Sequence, residues 1–346
     1  MIEEFIRQIR FSLLVLLVLT VVLAGLVFTM VMLRFYPEPA LISETKKDRN
    51  PKTAVKKEVV EAVFWQAPSI DDLPDNQDKQ MISYGKDLIA STSKYLGPEG
   101  IVGRLTNGMN CQNCHLEAGT KVFGNNYSAV YSTYPKFRAR SGTKETIVKR
   151  ISDCFERSLN GSAPDSNSKE MKAMIAYMKF LGTGTGKGTT PKGAGIEKLT
   201  YLDRAANPKN GALLYQGKCS SCHGNTGAGI MDASNQSFVY PPLWGEKSYN
   251  DAAGLYRISN FAGYVKSNMP FGASSEKPLL TDEEAWDIAA FVNSQPRPHK
   301  DQHADWTDIS KKPIDFPFGP YSDQFSEVQH KYGPFNPIKE MHKNTK

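Results

Sequence analysis

The chain is poor in cysteine and histidine, with five of the first and six of the second among 346 residues. Five cysteines are too few for a disulfide scaffold of that length. Four of the six histidines lie in the C-terminal tail, far from every cysteine in sequence, which argues against structural zinc. Basic residues are not interleaved with aromatics in a patch, so nucleic acid is not an expected partner. Net charge is only +6, a mild excess that suits an acidic partner, an anionic substrate or a membrane surface. Apolar residues make up 40% and charged residues 23%, a globular composition with length for about two ordinary domains.

Charge is also missing from Phe11 to Leu33, a run bounded by Arg10 and Arg34. As a helix it reaches roughly 35 Å, enough to cross a hydrocarbon core of roughly 30 Å. Signal-peptide apolar regions end at about 15 residues, and no small-x-small cleavage site follows convincingly. The expectation is a cytoplasmic stub at 1–10 and an uncleaved anchor at 11–34, with a long cleaved signal as the alternative. A stretch at 35–75 lacks sustained apolar periodicity and reads as a linker.

Two similar units follow, at 76–182 and 200–296. Each opens with a helical pattern, continues into a CxxCH motif, and closes with a helix: "KEMKAMIAYMKFLG" in the first, "TDEEAWDIAAFVNSQ" in the second. Thr281 and Glu284 form a capping box ahead of the second closing helix. The CxxCH cysteines Cys111 and Cys219 are 108 residues apart, and Ile175 and Ile288 of the closing helices 113 apart, so one module is used twice. Between them, 183–199 is too rich in Gly, Thr and Pro to build a core and reads as a linker or crossing strap. After Pro296 the tail, 297–346, is polar and Pro-rich; Trp306, Phe316 and Phe318 favour its wrapping over the modules.

CxxCH places two thiols one helical turn apart, to add to the haem vinyl groups, and then an imidazole to bind the iron. Two copies in matching contexts predict two covalently bound haem c groups. Cys111, Cys114, Cys219 and Cys222 would carry the thioethers, and His115 and His223 would be proximal ligands. Covalent attachment occurs outside the cytoplasm, which places the modules in the periplasm, tethered to the inner membrane. Disulfide redox motifs and zinc sites are the competing readings.

The sixth ligand in a small c-type cytochrome is usually a methionine ahead of the closing helix. In the second unit Met269 of "YVKSNMPFG" fills that place, with Lys266 and Met231 as rivals. The equivalent place in the first unit holds no methionine but Cys154, the fifth cysteine. A thiolate ligand favours ferric iron and a low potential, whereas a thioether raises the potential. A buried inert cysteine, with Met171, Met174 or Met178 as ligand, is the alternative. Around Cys154 the chain is cationic, with Arg138, Arg140, Lys144, Lys149, Arg150 and Arg157, in a pattern suited either to oxyanions or to a solvated face.

The two CxxCH modules together with "RISDCFERSLNG" resemble the dihaem thiosulfate dehydrogenases, relatives of the haem subunit of the sulfur-oxidising complex, over roughly residues 75–300. The resemblance implies a mostly α fold of two tandem cytochrome c domains. It implies coupling of two thiosulfates to tetrathionate, or the reverse, with electrons passed to a cytochrome or other acceptor. By the same resemblance His115 and Cys154 ligate a catalytic haem and His223 and Met269 an electron-transfer haem. Arg140, Arg150 and Ser158 match positions that line the substrate pocket. Some relatives carry a lysine directly before the methionine, where this chain has Asn268, which argues for a steady His/Met pair. A plain electron-transfer cytochrome and a partner-dependent subunit are the rival functions.

Overall fold

A computed structural model of the chain describes Leu13, residues 15–26, Phe28 and residues 63–344. It divides into two units, Met1–Val60 and Glu61–Lys346. In the first unit the described residues are helical and exposed. No helix among the described residues is long and apolar enough to cross a membrane. The remainder of the expected anchor at 11–34, and the stub at 1–10, lie outside the described residues, as does most of the linker.

The second unit is mostly helical and holds two hydrophobic cores, one per CxxCH module. In the first, α1 (Gln77–Ala90) starts where Asn76 accepts from the Lys79 amide and packs on the closing helix α3 (Lys169–Leu181), capped by Ser168. Between them in sequence, α2 (Ile147–Asp153) is capped by Thr146. In the second, α4 (Pro208–Lys218) packs on the closing helix α6 (Asp282–Ser294), and α5 (Ile258–Asn268) completes the core. The expected capping box forms: Glu284 N donates to Thr281 Oγ1 at 3.1 Å and Thr281 N to Glu284 Oε2 at 2.9 Å.

Both modules cross their first and last helices by the same device. A Cβ on Gly85 would lie 2.1 Å from the Ala173 carbonyl oxygen, and one on Gly211 would lie 1.9 Å from that of Asp287. Only glycine permits such close helix approach, at a cost in helix propensity of about 1 kcal/mol.

The strap at 183–199 is bound along its length. Phe123 N donates to Gly193 O and Asn125 N to Gly195 O, both at 2.8 Å, and Gly188 N to Ser132 O at 2.8 Å. The tail wraps over both modules. Asp305 takes a two-pronged bond from Arg157 at 2.6 and 2.8 Å, and Trp306 N donates to Arg140 O at 2.6 Å. Phe335 and Ile338 are buried in the second core. All four tail histidines face aspartates: His299 on Asp251, His303 on Asp301, and His330 and His342 on Asp323. No group of three metal-binding side chains occurs among the described residues.

Candidate active site

Helix α2 does not stop at Asp153. It runs on into a π-helical turn, Cys154–Ser158, in which Leu159 N reaches back to Cys154 O at 3.0 Å. The extra residue in such a turn re-aims side chains, and π-turns cluster at functional sites. Here Cys154 and Ser158 line a cavity of about 270 Å³ together with Cys111, Cys114 and His115.

The chemistry of this donor set fits a covalently held haem. Ile89, Ile151, Phe155, Leu159 and Met178 supply apolar walls, two thiols and an imidazole come from one short segment, and a fifth cysteine lines the same space. His115 Nδ1 lies 2.5 Å from the Asn125 carbonyl oxygen. A proton held there leaves the Nε2 lone pair for a metal. Burial pushes the His115 pKa down to about 4, so the imidazole is neutral near pH 7. Met174 and Met178 also line the cavity, whereas Met171 is packed in the core.

The second cavity, about 660 Å³, repeats the arrangement with Cys219, Cys222, His223 and Met269. His223 Nδ1 faces the Pro241 carbonyl at 2.8 Å, and burial lowers its pKa. Met269 sits at the C-cap of α5. Its rivals are engaged elsewhere: Lys266 binds Leu280 O at 2.6 Å and Asp282 at 2.8 Å, and Met231 packs against the first core. Asn268 lines the cavity with its amide nitrogen donating to Phe123 O and Tyr264 O, at 3.1 and 2.9 Å. Asn110 and Cys114 line both cavities, and Cys114 packs against both cores.

The cationic residues divide sharply. Arg150 lines the first cavity, makes no ion pair among the described residues, and has Cys154 as its strongest electrostatic partner, which raises its pKa. Arg140, expected in the same pocket, does not line it. Its guanidinium lies 2.6 Å from the buried Asp153 carboxylate, which Lys149 also contacts. A buried carboxylate needs such partners, and one guanidinium nitrogen of Arg140 supplies one of them. Arg157 is likewise taken by Asp305. In their place Lys136 and Arg138 line the cavity, with Tyr134. Lys136 was not among the expected site residues. The signal for it is the alternation Lys-Phe-Arg at 136–138, which on a strand puts the two cations on one face.

Residues 103–186 match the SoxA/TsdA cytochrome c domain family, and residues 208–296 match the cytochrome c family. The thiosulfate dehydrogenase of Allochromatium vinosum is 39% identical over 230 residues, covering 65% of this chain and 82% of that protein. That of Psychrobacter arcticus is 38% identical over 242 residues, covering 69% of this chain and 70% of the relative. A solved structure of the thiosulfate dehydrogenase TsdBA from Marichromatium purpuratum, in its as-isolated form, aligns with a TM-score of 0.62 at 31% identity. That match covers 68% of this chain and 50% of the solved chain, so this protein spans about half of that structure. With two cytochrome c domains and two covalent haem c groups, the chain belongs to the thiosulfate dehydrogenase family.

Proposed function

We propose that the first cavity joins two thiosulfate dianions through a new sulfur–sulfur bond, giving one tetrathionate and releasing two electrons, with the reverse reaction open to it. The observation that carries this reading is Arg150: a cation in the cavity shared by His115 and Cys154, with no ion pair among the described residues. Its planar fork suits a sulfonate, and Ser158 adds a hydroxyl donor from the same π-turn. Cation and hydroxyl offset the repulsion between two dianions and orient their sulfurs. Arg140 acts through Asp153, holding the α2 end from which Cys154 projects. When bound, haem would supply one-electron chemistry at iron; His115 and Cys154 would hold it at a low potential in the first cavity, His223 and Met269 at a higher one in the second, with a cytochrome or other carrier as acceptor. Lining by Cys114 of both cavities supports a short route between them.

The uncharged run Phe11–Leu33 is proposed as an inner-membrane anchor with the modules in the periplasm. Recovery of the full chain in washed membranes would support it, and recovery in the soluble periplasmic fraction would overturn it.

The functional test is acceptor reduction by the purified holoprotein on adding thiosulfate, with tetrathionate quantified. The reading requires two electrons per tetrathionate formed. No turnover in either direction would favour a substrate-free electron carrier or a partner-dependent subunit.

A further inference from the structure

We propose that Lys136 and Arg138 form a second anion subsite in the first cavity, one that receives the second thiosulfate and the second sulfonate of tetrathionate. This rests on the functional reading above. Strand β1 (Lys136–Arg138) pairs antiparallel with β2 (Thr143–Glu145), and alternation puts Lys136 and Arg138 on one face and the exposed Phe137 on the other. Both cations line the cavity that Arg150, Ser158 and Cys154 also line.

Glu145 lies directly across from Lys136 in the strand register, so the two share a face. Its carboxylate is 1% exposed, and neither oxygen has a hydrogen-bond partner among the described residues. The Arg138 Nε stands 3.8 Å away, too far for a hydrogen bond. Glu145 therefore supplies a nearby counter-charge without a hydrogen bond to either cation, and the Lys136 Nζ lies 5.0 Å from the centroid of the Tyr134 ring. Glu145 faces two cations, Lys136 and Arg138, and Arg150 adds a third positive charge to the cavity lining. Burial, then Arg138, then Arg150 lower the Lys136 pKa, so the cations repel one another across the site. A dianion relieves that repulsion, and a molecule with a sulfonate at each end can engage Arg150 and the Lys136–Arg138 pair together.

The experiment measures tetrathionate affinity of the ferric holoprotein by titration calorimetry. Variants are Lys136→Gln, Arg138→Gln and a control, Lys144→Gln, whose exposed side chain pairs with Phe137 on the opposite face of the same hairpin. Each of the first two should weaken tetrathionate binding about tenfold, the effect of one lost charge-assisted contact. Lys144→Gln should stay within about twofold, as expected for an exposed charge. Lys136→Arg and Arg138→Lys, which keep the charge and spare the fold, should retain most of the affinity. Equal weakening in all three glutamine variants would reduce the pair to a general field and overturn the subsite. Unchanged affinity in Lys136→Gln and Arg138→Gln, in a protein whose parent oxidises thiosulfate, would overturn the subsite alone. A parent that neither binds tetrathionate nor oxidises thiosulfate would overturn the functional reading and the subsite with it.

Discussion

Replacing Arg150 by alanine separates substrate binding from haem binding. Arg150 is not a haem attachment residue, and its side chain makes no ion pair among the described residues that would be orphaned by its loss. What goes is a fork of donors aimed into a cavity of about 270 Å³. A hydrogen bond to a charged group contributes about 1.5–3 kcal/mol, so the KM for thiosulfate should rise roughly ten- to a hundredfold. Arg150→Lys keeps the charge but not the fork and should fall between. A second effect follows from its neighbour. A cation beside Cys154 offsets the thiolate's preference for ferric iron, so its loss should lower the potential of the first haem. The assay is initial rate against thiosulfate at constant haem content, with potentiometric titration of both haems. A KM within twofold of the parent, with both potentials unchanged, would refute the placement of Arg150 at the substrate.

Three further outcomes test other parts of the account. Gly85→Ala and Gly211→Ala each force a methyl group against a helix carbonyl, at 2.1 and 1.9 Å, and should each cost about 1–3 kcal/mol in thermal or denaturant unfolding; an unchanged midpoint would contradict the shared crossing. Burial alone would raise the Asp153 pKa, but Lys149, Arg140 and Arg157 hold it below its ordinary value. A depressed carboxylate stabilises the fold above its unfolded pKa of about 3.9 and loses that contribution as pH falls through the folded value. Asp153→Asn should therefore be less stable near neutral pH and show a shallower acid limb below about pH 4; a full parental acid limb would contradict the pairing. Met269→Ala removes the proposed soft neutral ligand and should lower the potential of the second haem alone, read by potentiometric titration; a drop confined to the first haem would contradict the assignment.

Much of this arrangement can be read along the chain, because its signals are local. The CxxCH spacing, the Thr281–Glu284 box and the 3.6-residue pattern of the closing helices each depend on neighbours within a turn or two. The distribution of the arginines cannot be read that way. Arg138, Arg140, Arg150 and Arg157 look alike in a basic segment, and only the tertiary placement of Asp153 and Asp305 decides which two pair at hydrogen-bond distance. Asp305 is 148 positions from Arg157, and no periodicity reports such a pairing. The same holds for Phe238, which belongs to the second module by position and packs in the first core. The lining of both cavities by Cys114 is likewise a tertiary fact. The π-turn at Cys154 has no composition signature, since an added residue in a helix is visible only in its hydrogen bonds.

The central claim is that Cys154 and the cavity it lines perform the thiosulfate chemistry. The most direct test compares the parent holoprotein with Cys154→Ala, both checked for two covalently attached haems. Thiosulfate-dependent acceptor reduction is measured with tetrathionate as product. The account predicts turnover in the parent, its loss in the variant, and disappearance of the low-potential wave while the second haem titrates as before. Parental turnover in Cys154→Ala, with both potentials unmoved, would contradict it.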